Sequence, residues 1–384
     1  MTKSSADLVI KAGRIFCADS CLDGPGAVAI KSDRIIASGY DVFDEFPDAK
    51  QVLSFPDALL IPGLIDLHAH PASAEWFAGI DPDSYILARG TTTALSQGDA
   101  GPDTWKLYYD TVIDPARLDI RAAISPVSGS TFAQSGGFEE LANIDVDGCI
   151  GAVRDGGDSI WGIAVNAMVQ VTGPSDPREI LQKTLAVAET TQLPLLFGSR
   201  REPSDWPLAD QLDLLRPGDV MTYCLHSGTK TGEESIVKNG RVLDAVWDAK
   251  ERGVLFDVGH GMSSFDFHVA EAAITQGFMP DTISTDIQRR HVAHKPQHDM
   301  PRVISKLMAA GMPESEVLAR STQHPAKALG LSEEIGTLAA GTCADLAVLH
   351  WNPDASPLVD CVGVTRPGGC FEPVMTVRGG VVVS

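Results

Sequence analysis

Between residues 60 and 335 the sequence alternates short apolar runs with amphipathic stretches, and it does so eight times. The apolar runs lie at 59–68, 91–97, 120–127, 160–171, 193–198, 219–226, 254–259 and 282–286. Runs of this length bounded by turn residues read as strands, whereas 177–190, 242–252 and 267–276 carry their apolar residues at helical spacing. Eight strands with helices between them predict an α/β fold, a (β/α)8 TIM barrel. A doubly wound open sheet is the competing architecture. It wants a glycine-rich phosphate loop after its first strand, and the sequence has none.

The two ends of the chain read differently. Residues 7–10, 27–30 and 34–37 are β-rich and punctuated by Asp23-Gly24-Pro25-Gly26, and 345–349 and 374–383 look alike. This pattern predicts a small β-sandwich built from both termini, with 1–58 and 336–384 as its two parts and 59–335 as the barrel.

Composition narrows the partners. The 30 Lys and Arg against 51 Asp and Glu leave a net charge of −21, which argues against general nucleic-acid or anionic-membrane binding. No apolar run reaches the roughly 18 residues of a membrane span. The first seven residues lack the basic-then-apolar order of a signal peptide. The seven cysteines are scattered and form no C-x-x-C, so reduced thiols in a cytoplasmic protein are expected.

The chemistry gathers at the ends of the apolar runs. In Pro62-Gly63-Leu64-Ile65-Asp66-Leu67-His68-Ala69-His70 the two histidines stand two apart on a strand, so they project to one side at its C-terminal end. A barrel keeps its chemistry at that end, and two imidazoles so placed can share a metal. The alternative is two unrelated polar histidines. Asp286 ends the eighth run, where a carboxylate can ligate a metal and take a proton from water; it could also simply cap a helix. His260, between Gly259 and Gly261, and His226, in Tyr223-Cys224-Leu225-His226, close runs seven and six as substrate contacts or as structural residues. The stretch from Gln288 to His298 sets Arg289, Arg290, His291, His294, Lys295 and His298 over the barrel mouth. Arg289 and His291 there, with Arg200 and Arg201 after run five, could grip a substrate carboxylate, or both segments could be solvated loops. The glycine-rich segment 128–137 could be a mobile cover or an ordinary surface loop.

Taken together, these motifs resemble the amidohydrolase superfamily of metal-dependent hydrolases, and within it the dihydroorotase-like deacetylase group. The resemblance runs over nearly the whole chain. It includes the Pro62–His70 motif, Gly90-Thr91-Thr92-Thr93, Arg216-Pro217-Gly218-Asp219, Asp257-Val258-Gly259-His260-Gly261, Ser284-Thr285-Asp286, His324-Pro325-Ala326 and Gly336-Thr337-Leu338 through Asp345-Leu346. It implies a two-metal site with six ligands: His-x-His on strand one, a carboxylated Lys on strand four, a His on each of strands five and six, and an Asp on strand eight. His68, His70 and Asp286 match. Ala164 stands in place of the Lys, Gly198 or Ser199 in place of the first His and Tyr223 in place of the second. No His lies between His70 and His226, and the only lysines there, Lys106 and Lys183, fall in expected helices. His226 is a possible stand-in, although its odd offset from Tyr223 changes its side unless the strand bends.

The bridging carbamate cannot form without its Lys. A mononuclear site remains feasible, because catalytic zinc commonly takes three protein ligands and a water. The expectation is therefore one divalent metal, zinc or else manganese, on His68, His70 and Asp286. Asp286 would act as the proton acceptor, and Tyr223 or His260 would help hold an oxyanion. The substrate would be a small amide, cyclic amide or ester bearing a carboxylate, and by analogy the protein would be a homo-oligomer. A metal-free lyase, isomerase or hydrolase on the same scaffold, or a non-catalytic binding protein, are the alternatives.

Overall fold

The computed structural model describes residues 5–72, 76–131, 137–199, 206–228 and 235–384. Its middle is a seven-stranded, all-parallel sheet of β1 (Leu64–Ala69), β2 (Thr91–Gln97), β3 (Asp119–Ile124), β4 (Ile160–Asn166), β5 (Leu195–Gly198), β6 (Val220–Thr222) and β7 (Leu255–Phe256). The strands stand side by side in chain order. The eighth run pairs through single bridges: Asp257 with Thr282 on the β7 side and Ala69 with Ile287 on the β1 side. The segment 282–287 thus joins the two edges of the sheet and gives a TIM-like domain. Ile65, Leu67, Leu95, Ala123, Ala164, Leu196 and Val220, drawn from β1 to β6, pack into one buried cluster. Helices such as Pro177–Thr191, Asp244–Glu251, Phe267–Thr275 and Met300–Ala309 cover the sheet.

The run expected at 59–68 is two strands. Its first part belongs to the strand Gln51–Pro62, which pairs with Leu346–Asn352 as far as Pro62. Its second part is β1. Gly63 divides them: a Cβ there would run into Thr92, so only glycine lets the chain pass this close to β2. The termini form a second seven-stranded sheet, in the order Val381–Val382, Cys370–Arg378, Leu346–Asn352, Gln51–Pro62, Leu8–Cys17, Leu22–Lys31, Arg34–Gly39. Only the pairing of Leu8–Cys17 with Gln51–Pro62 is parallel. The sheet therefore draws on both ends of the chain and extends past the boundary expected at 58. Its buried residues, among them Ile10, Val28, Leu60, Leu346 and Val377, form a core of their own. All seven cysteines are free thiols. Among the described residues no helix is long and apolar enough to cross a membrane.

Candidate functional site

The C-terminal end of β1 is irregular. Asp66 pairs with Ala94 and Ala69 with Ser96, so β1 spends one residue more than β2 over this step. Such a bulge re-aims the side chains that follow it. His68 and His70 come out on one side, with ring centroids 6.0 Å apart, and both are buried. Asp286 meets them from the closing segment. Its backbone N–H donates to the His68 carbonyl at 2.6 Å, and the His70 N–H donates to the Ile287 carbonyl at 3.0 Å. The Asp286 Oδ1 atom then lies 3.0 Å from His70 Nε2 and 3.5 Å from His68 Nε2. One donor atom from each of the three residues lies within 4.8 Å of the others.

The hydrogen bonds behind this trio fix which nitrogen faces it. Thr222 donates its hydroxyl to Asp257 Oδ2 at 2.8 Å, so at its 2.8 Å contact with His68 Nδ1 it must accept. His70 Nδ1 lies 2.8 Å from Asp99 Oδ1, a carboxylate that can only accept when ionised, and Ser96 donates to Asp99 Oδ2 at 2.7 Å. Each imidazole therefore carries a proton on Nδ1 and turns Nε2 toward Asp286; on His70 that nitrogen meets the Asp286 carboxylate and carries a second proton, the one a metal ion would replace. Metal-binding histidines are held in this way.

Electrostatics favour a cation at the same point. Burial alone would discharge His70, yet Asp99 and Asp286 raise its pKa to about 10. Burial alone would raise Asp286, yet His68 and His70 beside it hold its carboxyl down at about 2. The pocket stabilises one positive charge between carboxylates, whether a proton or a metal ion supplies it. The residues present fit a divalent cation.

Tyr223 stands beside the trio. β6 ends at Thr222, and Tyr223 takes a left-handed φ of 66°, so the chain has left the strand before His226. The parity that would turn His226 away from Tyr223 thus does not apply. The Tyr223 hydroxyl reaches 3.3 Å from His68 Nε2, and its ring lies 5.0 Å from the His68 ring. Glycines make room for it: a Cβ at Gly198 would press on Tyr223 and Asn166, and one at Gly259 on Thr222 and Tyr223. Ala164, at the position implied for the Lys, is fully buried in the barrel cluster.

Other expected residues are placed elsewhere. His260 is buried and engaged at both ring nitrogens: Nδ1 accepts from the Met262 N–H at 3.0 Å, and Nε2 lies 2.8 Å from Lys306 Nζ. Its proton is therefore on Nε2 and points at the amine, so oxyanion stabilisation has no free nitrogen to draw on there. Burial, and then the charge of Arg302, push the Lys306 amine down to about 7. Burial and Lys306 hold His260 well below the ordinary histidine range. Arg289, expected on a substrate carboxylate, donates to the carbonyls of Trp76 and Gly79 and anchors residues 76–79. His291 is buried, with Nδ1 3.3 Å from the Gln288 N–H and Nε2 3.0 Å from Arg290 Nε, and burial holds it at about 4. His226 is buried next to the end of β6. Arg200 and Arg201 lie outside the described residues.

Sequence reasoning assigned no role to Asp99, Thr222, Asp257 or Lys306. The first three could have been found as polar residues at or just past the ends of β2, β6 and β7, where a barrel builds its site. Asp257 accepts from Thr222, Thr282 and Ser284 at 2.5–2.8 Å and so ties β6 and the closing segment to β7. Lys306 comes from the helix Met300–Ala309 and carried no local signal.

Comparison with known proteins bears on the family and the fold. The amidohydrolase family model matches residues 262–383. A deacetylase of Brucella anthropi is 30% identical over 337 residues, 85% of this chain and 80% of its own. A deacetylase of Enterococcus faecalis is 27% identical over 382 residues, 98% of both chains. Among solved structures, an adenine deaminase superposes with a TM-score of 0.86 at 27% identity, covering 98% of this chain and 99% of that one. A dihydroorotase superposes with a TM-score of 0.84 at 26% identity, covering 98% and 97%. The likeness runs through the barrel and both ends of the chain, and by it the protein belongs to the amidohydrolase family.

Proposed function

We propose that this chain is a metal-dependent hydrolase of amide, cyclic amide or ester bonds that works with a single divalent ion, zinc or manganese, on His68, His70 and Asp286. The observation that carries this reading is the convergence of His68 Nε2, His70 Nε2 and Asp286 Oδ1, with both Nδ1 protons committed to Thr222 and Asp99. A divalent ion held there supplies Lewis acidity and lowers the pKa of water. Asp286 takes the proton of the attacking water and returns it to the leaving nitrogen or oxygen. Gln288 Nε2, 3.1 Å from Asp286 Oδ1, orients that carboxylate. Asp99, Thr222 and Asp257 hold the imidazoles in place.

The loss of three of the implied ligands, to Ala164, to Gly198 or Ser199, and to Tyr223, supports one ion rather than two. Relatives called deacetylases favour a small acylated substrate. A carboxylate on that substrate would be met by Arg200 and Arg201, a part of the reading that rests on sequence alone.

The test is metal content per chain, measured on protein purified without chelator, followed by turnover of an amide and ester panel before and after chelation. About one equivalent with chelator-sensitive turnover is expected. Full turnover after exhaustive chelation would replace this reading with a metal-independent enzyme of another class. Metal without turnover of any amide or ester would leave a binding protein.

A further inference from the structure

From the geometry we infer that Tyr223 is a fourth protein donor to the ion, its phenolic oxygen standing where an imidazole would otherwise come from strand six. This rests on the metal-dependent reading above and deepens it. Three observations point the same way.

The first is distance. Donors bound to zinc at about 2.0–2.1 Å in a tetrahedron lie about 3.3–3.4 Å from one another. The Tyr223 hydroxyl is 3.3 Å from His68 Nε2, and Asp286 Oδ1 is 3.5 Å and 3.0 Å from His68 and His70 Nε2. The first separation equals such an edge, and the other two come within a few tenths of an ångström of it.

The second is direction. In its neutral form His68 carries a lone pair on Nε2, because the Thr222 contact takes the one proton on Nδ1. The Tyr223 hydroxyl therefore donates into the same lone pair that an ion would use. Replacing that shared proton with a cation leaves both atoms aimed at one point. The O–H bond breaks on binding, the proton passes to solvent, and the oxygen keeps the electron pair as a phenolate donor.

The third is backbone cost. An aromatic residue at φ 66° is strained, and strain of this kind persists where the surroundings impose it, often at functional sites. Here Gly198 and Gly259 leave the room that the ring needs. Of the replaced positions, Ala164 and Gly198 have no donor atom in their side chains; Ser199, the other candidate on strand five, has a hydroxyl, and Tyr223 has one that stands against His68.

The assignment gives the ion four protein donors, a set typical of closed sites, so substrate or water would enter by adding a fifth donor or by displacing the phenolate. It also places Tyr223 on the ion rather than on the substrate oxygen.

The experiment compares the full-length wild type, Tyr223→Phe and Tyr223→His. Zinc affinity is measured by competition with a chelating dye, and the ultraviolet difference spectrum is followed for tyrosinate as zinc is added. The ferric forms are then examined for the visible charge-transfer band of a phenolate–iron bond. In the wild type we expect a tyrosinate signal at one equivalent and a charge-transfer band. Y223F should lose both and bind zinc at least about tenfold more weakly, the low end of what loss of a partner around a metal costs. Y223H should restore affinity without either signal, which separates ligation from a folding defect. Zinc binding in the wild type with no tyrosinate signal and unchanged affinity in Y223F would overturn the assignment and leave the metal-dependent reading standing. A wild type that takes up no zinc at all would overturn both.

Discussion

His70 faces Asp286 through Nε2 and Asp99 through Nδ1, at 3.0 and 2.8 Å. The Asp99 carboxylate is thus set to orient the ring and to increase its basicity toward a cation. Replacing Asp99 with Ala removes that acceptor from a buried ring. Metal affinity should fall by about 10–100-fold, the usual cost of losing such a partner. Dye competition measures this directly, and an unchanged affinity would mean that Asp99 is only packing.

Asp286 should be indispensable for turnover but not for the fold. Asp286→Asn keeps the size of the side chain and removes its capacity to accept a proton. Turnover should drop by at least about 100-fold, as expected for loss of a general base. The far-ultraviolet circular dichroism spectrum should stay that of the wild type. Wild-type turnover in this variant would end the proposed mechanism.

Lys306 makes stability depend on pH in a window of its own. Its amine is pushed from 10.5 down to about 7 in the folded chain. Between those values the unfolded chain binds the extra proton and the folded chain does not, so stability should rise with pH from about 7 to 10. Urea titrations at several pH values would show the slope in the wild type. Lys306→Met should flatten it, and a slope that survives in the variant would have to come from another group.

Gly259 is held at φ 48°, and a side chain there would strike Thr222 and Tyr223. Gly259→Ala combines an unfavourable backbone conformation with a clash against the donor side of the site. A loss of at least about 2 kcal/mol in unfolding free energy is expected, within the range for such strain plus overpacking. Metal affinity should fall with it. A neutral substitution would mean that Thr222 and Tyr223 can move aside freely.

Much of this was legible in the sequence, and for identifiable reasons. The run at 91–97 is a strand with those same bounds because three β-branched threonines open it and Gly90 and Gly98 flank it. The His-x-His pair could be read because period two holds locally, whatever the strand does before it. The division at Gly63 was not legible, because Leu59–Pro62 and Leu64–Ala69 are both apolar and only their partners differ. Nor was the neutral state of His291 and His260, since each depends on what three-dimensional packing brings against the ring. Arg289 read as a substrate clamp because charge is visible in a sequence; its engagement with the carbonyls of Trp76 and Gly79 is not.

The segment 282–287 pairs with the neighbouring strand ends at only two bridges among the described residues, aided by hydrogen bonds to Asp257 and to 258–261, and it carries Asp286 across to His68 and His70. His70 and Asp286 are 216 residues apart in the chain and meet only where the first strand and the last come together. An ion bound between them is therefore a clasp on the ring of strands. A nascent chain that has not yet made its last strand has two histidines and no clasp, so tight metal uptake reports that the ring has shut. Free energy of binding flows into that seam. Stripping the ion should loosen the molecule there first, with amide exchange accelerating along 282–287 and β1 before it does in β3 and β4.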